Sequence, residues 1–164
     1  DPSTFGAAVG VDADGSRVLF GLDSDTATGE AGLLVGMEQR TGTLDIRDLA
    51  GTYEATALTF FVNPQTVSNG INSGTDAAVG LLTLSETGAF RFAMEGAAGS
   101  DFVYSGTMTG ADDGTLTFTV NETNDQWFGA VDQAGKTIVA LDGSVETNRN
   151  VPELNLFLCI RKPN

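Results

Sequence analysis

Phe90-Arg91-Phe92-Ala93-Met94-Glu95, Phe102-Val103-Tyr104-Ser105-Gly106-Thr107-Met108 and Thr115-Leu116-Thr117-Phe118-Thr119-Val120 follow one another at short intervals. In the last of them Leu116, Phe118 and Val120 alternate with three threonines. In the first, Phe90, Phe92 and Met94 share one side, and in the second so do Phe102, Tyr104 and Met108. Successive side chains of a strand point to opposite faces, so a period of two marks a half-buried antiparallel strand. Phe90, Phe92, Met94, Phe102, Tyr104, Met108, Leu116 and Phe118 are therefore the candidate inner face, either packed as core or lining a ligand cavity.

Outward from this stretch the same signals continue. Glu86-Thr87-Gly88, Ala111-Asp112-Asp113-Gly114, Asp12-Ala13-Asp14-Gly15 and Gln133-Ala134-Gly135 have hairpin chemistry, with glycine supplying the positive φ of a tight turn. No long window repeats apolar residues with helical spacing. Eight strands are expected after residue 50, at roughly 51–62, 78–85, 89–96, 101–109, 114–121, 126–132, 136–142 and 154–162. Three more are expected before it, at roughly 5–11, 16–22 and 32–39. Long loops are expected from Asn63 to Ala77 and from Gly143 to Glu153. Residues 40–50 read equally as a linker, a strand or a single helical turn.

An internal repeat organises these strands. Phe5-Gly6-Ala7, Val11-Asp12-Ala13-Asp14-Gly15 and Leu33-Leu34-Val35-Gly36-Met37-Glu38-Gln39 match Phe128-Gly129-Ala130, Val131-Asp132-Gln133-Ala134-Gly135 and Leu156-Phe157-Leu158-Cys159-Ile160-Arg161-Lys162. The outer blocks are equally spaced in both copies, and the middle block is slightly displaced by small insertions. One three-stranded unit is used twice. The fold expected is all-β: an antiparallel up-and-down barrel of about eight strands, which removes exposed sheet edges. Residues 49–164 form the barrel unit. Residues 1–48 form an N-terminal three-stranded half-repeat that packs on it, completes it, or is the end of a preceding unit in a tandem array.

The last strand has two apolar faces. Leu154, Leu156, Leu158 and Ile160 share one, and Phe157 and Cys159 lie on the other with Asn155 and Arg161. Its leucine face is expected to point inward, leaving Phe157 and Cys159 outside and in need of cover. Association with another copy is expected around Leu19, Leu34, Val35 and Phe157.

The 164 residues carry a net charge of −14, which opposes nucleic acid and anionic membrane surfaces and otherwise speaks to solubility. No apolar run approaches the roughly 20 residues of a membrane-spanning helix. There is no histidine and one cysteine, Cys159. A Ser-His-Asp or Cys-His machine, a His-ligated metal and a Cys-x-x-Cys redox pair are therefore excluded. No phosphate-binding loop, dinucleotide fingerprint or nucleophile elbow occurs. A carboxylate pair could hydrolyse a glycoside, so a carboxylate-dependent hydrolase is a further alternative, although the sequence singles out no pair among the 22 acidic residues. The expected cofactor is none. Calcium is the inorganic ligand the turn acids would suit: Asp12, Asp14, Asp23, Asp25, Asp112 and Asp113, read otherwise as solvated turn residues. Two lysines, no histidine and abundant glycine and threonine resemble bacterial secreted proteins, and the opening Asp1-Pro2 reads as a processed start. An extracellular, cell-surface or periplasmic location is expected.

Gly51-Thr52-Tyr53 at the start of the first barrel strand, the long first connection and Arg161 on the last strand resemble lipocalin-like barrels of the calycin superfamily. Lipocalins carry Gly-x-Trp there, with an Arg over the aromatic ring. This chain has Tyr for Trp, no C-terminal helix and no disulfide. Leu49-Ala50-Gly51-Thr52-Tyr53, the Asp-x-x-Gly hairpin and the closing apolar strand are also similar to tandem repeats of bacterial surface proteins of unknown function. The first resemblance implies a binder of a small hydrophobic ligand. The absence of catalytic side chains and the repeat favour a non-catalytic structural or adhesive module that self-associates.

The alternation is testable. Phe118→Ala is expected to cost about 3–5 kcal/mol in urea unfolding if its ring is buried, and Thr117→Ala, on the other face, far less. Equal losses would refute the face assignment.

Overall fold

The computed structural model describes residues 4–11, 17–25, 30–38, 40–63, 72–96, 101–142, 145–146 and 151–163. Asp12 and Asp14 of the first hairpin lie outside them. Three strands come first: β1 (Thr4–Val11), β2 (Arg17–Asp25) and β3 (Glu30–Met37). A 310 turn, Ile46–Leu49, precedes β4 (Gly51–Asn63) and β5 (Asn72–Leu84). Then follow β6 (Ala89–Gly96), β7 (Asp101–Gly110), β8 (Thr115–Val120), β9 (Gln126–Val131), β10 (Thr137–Asp142), β11 (Val145–Glu146) and β12 (Val151–Arg161).

β4 to β10 pair in sequence order, each antiparallel to the next, and β12 pairs with both β4 and β10. Eight strands thereby close into a barrel with almost no helix. β1, β2 and β3 make a separate three-stranded sheet. The β4–β5 ladder runs on to Asn63↔Asn72, so strand replaces much of the loop expected between Asn63 and Ala77. β11, a two-residue strand inside the other expected long loop, pairs with the start of β12.

The alternation seen in the sequence decides which side chains are inside. Phe90, Phe92, Met94, Met108, Leu116 and Phe118 are buried in one core cluster, and Phe102 and Tyr104 pack against it partly buried. Three hairpins at one end of the barrel share one turn. Gly88, Gly114 and Gly135 have φ of 82°, 85° and 70°, and their N–H groups donate to the carbonyls of Ser85, Ala111 and Asp132. A side chain would be strained at that backbone conformation, so glycine sets where these hairpins turn.

β12 corrects the expectation. Phe157 and Cys159 point into the barrel and are 1% and 0% exposed, whereas Leu154 and Ile160 face outward and are 44% and 55% exposed. Phe157 is therefore core and cannot serve association. Of the charged and amide residues that share its face, Arg161 ends the strand and Asn155 stands on the last rung of its ladder with β10. A barrel interior is apolar in the middle and wet or hydrogen-bonded at its ends, and the four leucine-type residues of the other face mask that signal. Leu156 and Val139 also point outward and stay out of the core cluster, yet are buried. On this outer face Val35 and Met37 of β3 line a groove with Phe128, Val139 and Leu141.

Exchanging the faces of β12 has a direct test. Phe157→Ala is expected to cost about 3–5 kcal/mol and Ile160→Ala much less, read from chemical unfolding followed by circular dichroism. The opposite order would restore the leucine face to the interior.

Candidate functional site

One end of the barrel is shut. Residues 40–50 cross it as a strap that ends in the 310 turn, which resolves the three-way reading of this segment. The strap touches each of the three hairpins. Arg40 Nη1 donates to the Gln133 carbonyl (2.9 Å), and Thr41 exchanges two hydrogen bonds with the Gln133 side chain (2.8 and 3.1 Å). Leu44 N–H donates to Asp112 Oδ1 (3.1 Å). Leu44 and Leu49 are buried with the core, and Ile46 packs against it. The Asp45 carboxylate caps the turn by accepting from Arg47 N–H (3.0 Å), which holds its pKa below the usual carboxylate value.

Tyr53 and Arg161 lock this end. The Tyr53 hydroxyl is within hydrogen-bond reach of the carbonyls of Leu49 (2.9 Å) and Gly135 (3.1 Å), so it ties the strap to the β9–β10 hairpin. The Arg161 guanidinium lies 5.8 Å from the Tyr53 ring centroid and donates to the carbonyls of Asp48 and Ala50. An arginine over an aromatic ring gains from the ring quadrupole. This is the pairing that the lipocalin resemblance implied for these two positions.

Rings fill the middle of the barrel. Trp127 and Phe157 stack with centroids 5.0 Å apart, Phe92 lies 4.9 Å from Phe157, and Phe90 meets Phe118 edge-on at 5.3 Å. Tyr104 stands edge-on to Trp127 at 5.0 Å, with Phe102 5.3 Å beyond. Small residues make the room: Ala55, Ala57, Ala78 and Ala140 are buried, and Gly129 is close enough to Phe118 that a Cβ would sit 3.2 Å from its ring. The sequence pattern had singled out neither Trp127, whose run Gln126-Trp127-Phe128 offers two large apolar neighbours on opposite faces, nor Tyr53 as core.

Away from the strap, the inner face becomes polar. Thr59 Oγ1 donates to Asn155 Oδ1 (2.6 Å), and Asn155 Nδ2 donates to the buried Asp142 (3.2 Å). Asp142 and Asn155 face each other across the β10–β12 ladder, so the closing ladder carries its own polar clamp. In the β8–β9 turn, Glu122 accepts from Ser105 N–H and Oγ, which lowers its pKa.

Two of the candidate calcium ligands are engaged within the protein. Asp112 is used on Leu44 N–H, and Asp113 Oδ1 accepts from Thr115 N–H (2.9 Å), which lowers the Asp113 pKa. Both carboxylates thus serve the hairpin and the strap. Asp23 and Asp25 lie on β2, opposite Phe5 of β1 and Glu30 of β3 respectively. Among the described residues, no group of three His, Cys, Asp or Glu side chains is placed to hold a metal ion. Cys159 is buried against apolar neighbours, and desolvation pushes its thiol far above the ordinary value.

The association candidates separate. Leu34 is 50% exposed, Leu19 is half-buried, and Val35 lines the groove beneath β3. That groove has a volume of about 420 Å³, an apolar floor of Phe128, Val139 and Leu141, and Glu38 and Asp113 at its rim. Among the described residues no helix is long and apolar enough to cross a membrane.

No family model matches the sequence, and no curated protein matches it. Among solved structures the chain is similar to a protein of unknown function of the DUF3598 family from Nostoc punctiforme. The two share 12% identity at a TM-score of 0.46, over 98% of this chain and 67% of that one.

The buried acids of the closed end predict an alkaline weakness. Burial pushes the Tyr53 phenol up to about 12, against a smaller opposing pull from Arg161. An unfolded tyrosine ionises near pH 10 and an unfolded thiol near about 8.5. Both native groups hold their protons to higher pH, so the unfolded state binds fewer protons and stability falls as pH rises. The stability tied to Cys159 is full below about pH 8.5 and that tied to Tyr53 below about pH 10; the Tyr53 share is gone by about pH 12. Urea midpoints measured from pH 7 to 12 are expected to fall in that order. Cys159→Ala should remove the earlier part and Tyr53→Phe the later one. An unchanged profile in Tyr53→Phe would count against a locked closed end.

Proposed function

We propose that the chain is a non-catalytic β-barrel module of the cell surface or extracellular space, with a structural role in which modules pack on one another through their sheets. The filled interior carries this reading. A barrel of eight strands either packs its interior with side chains or holds one small ligand. Here Phe92, Trp127 and Phe157 occupy the centre at contact distance, and the strap occupies the end below them. The outside supports the same reading. Phe128, Leu141, Leu154 and Ile160 are exposed on neighbouring strands β9, β10 and β12, Phe128 and Leu141 within the groove that Val35 and Met37 also line. Asp45, Asp112 and Asp113 each accept from a backbone N–H group, a use that commits these carboxylates to the turns and the strap.

A lipocalin-like binder is the competing reading, favoured by the Tyr53–Arg161 pair. It requires a ligand to reach the rings at the unstrapped end, where Phe102 and Tyr104 are only partly buried.

Trp127 is the single tryptophan and sits within the ring cluster, so its fluorescence reports on the interior. Titration with a long-chain fatty acid and with a naphthalene-sulfonate dye is expected to leave its blue-shifted emission unchanged. A saturable change at micromolar ligand would replace the structural reading with the binding one.

A further inference from the structure

The sequence repeat has a counterpart in backbone register. β2 pairs with β3 through Leu22↔Leu33, Gly21↔Leu34, Phe20↔Val35 and Leu19↔Gly36. β10 pairs with β12 through Leu141↔Leu156, Ala140↔Phe157, Val139↔Leu158 and Ile138↔Cys159. Aligning the matched residues Leu33 with Leu156 and Leu34 with Phe157 sets Leu22 with Leu141 and Leu19 with Ile138. β1 departs from this correspondence where the insertions fall: Phe5 lies one rung, and Val11 two rungs in the opposite direction, from the positions of Phe128 and Val131.

The faces correspond as well. In the barrel, Phe157, Cys159, Ala140 and Ile138 point inward and are covered by the rest of the wall; Phe92 of β6 lies 4.9 Å from Phe157. The equivalent positions are Leu34, Gly36, Gly21 and Leu19. Leu19 and Gly36 share one face, since a Cβ on Gly36 would meet the Leu19 side chain at 3.5 Å. Leu34 is on that face and half exposed, while Val35 and Met37, on the other, face the barrel. The N-terminal sheet thus packs on the barrel with the face that is outer in its counterpart, and presents to solvent the one that is inner. Its edge strands β1 and β3 each pair only with β2 among the described residues. Exposed edges of this length are normally paired or covered.

We propose that β1–β3 is the closing three-strand unit of a second barrel. Its other five strands are a segment of the β4–β8 type, joined in tandem ahead of β1. In the present barrel β9–β12 closes the sheet by pairing with β8 on one side and β4 on the other. β1 and β3 offer the same two edges to a segment like residues 51–120, whose inner face would cover Leu19 and Leu34. The two barrels would then meet back to back across the groove under Val35 and Met37. This names the neighbour in the structural role proposed above and rests on that reading. The dye titration reads the interior and the following experiment reads strand pairing, so either can fail alone.

The experiment joins a duplicate of residues 40–125 ahead of Thr4 in the full chain, in a Cys159→Ala background. Leu34→Cys is combined with Ala57→Cys in the duplicate only. Phe157 faces Ala57 in the present barrel, so the two thiols are expected to form an intrachain disulfide on mild oxidation. Leu33→Cys, on the opposite face, should not. Without the Ala57→Cys partner, Leu34→Cys should react freely with a maleimide in the chain as it stands and become protected in the extended one. Failure to crosslink, equal crosslinking of Leu33→Cys, or unaltered maleimide reactivity in the extended chain would overturn the proposal. Disulfide-linked dimers of the unextended Leu34→Cys chain, with its apolar face already protected by dimerisation, would also overturn it by making a second copy the cover.

Discussion

β12 is hydrogen-bonded along both edges, to β4 from Tyr53 to Phe61 and to β10 from Thr137 to Asp142. Remove either ladder and the sheet has two long edges, each a template for another chain. The double pairing also sets the interior. It brings Phe157 against Phe92 and Trp127, residues of strands that are far apart along the unrolled sheet. The rings at the centre are thus a consequence of closure, and in turn they hold the wall at the spacing closure needs. At the top of the same ladder Asn155 links Asp142 to Thr59, so a buried carboxylate is kept with a hydrogen-bond donor.

The two ends of the barrel are built differently. At one, tight glycine hairpins and the strap of residues 40–50 interlock through Gln133, Asp112 and the Tyr53 hydroxyl. Arg161 meets two strap carbonyls and stacks on Tyr53, so the last strand, the first strand and the strap are joined at one point. At the other end the inner face carries Thr59, Asn155 and Asp142. A barrel with one rigid, plugged end and a centre filled by rings has its free surface on the outside of the wall. That is where exposed Phe128, Leu141, Leu154 and Ile160 lie.

Val35 and Met37 of the N-terminal sheet line a groove with residues of β9 and β10, and Val139 is buried there although it points away from the core. The β2–β3 and β10–β12 ladders are both antiparallel, and Leu33 and Leu156 each stand opposite a leucine in them.

Strand positions, turn positions and the inner faces of β6, β7 and β8 were written locally, because period two and a glycine at each turn are properties of neighbouring residues. The missing histidine and the single cysteine ruled out whole classes of chemistry before any fold was known. The likeness between blocks near the two ends of the chain is likewise read from the sequence alone. What only the tertiary structure decided were matters of partner. β12 is apolar on both faces, so alternation could not say which face is inner; pairing with β4 and β10 turned Phe157 and Cys159 inward and left Leu154 and Ile160 outside. Residues 40–50 had no period of their own, and became a strap because Asp112 and Gln133 meet them from distant hairpins and Tyr53 from the strand that follows. Asp112 and Asp113 looked like cation ligands by composition and became caps once backbone N–H groups were placed beside them. A sequence records what each side chain prefers; which of several acceptable partners it finds is settled only when the sheet closes.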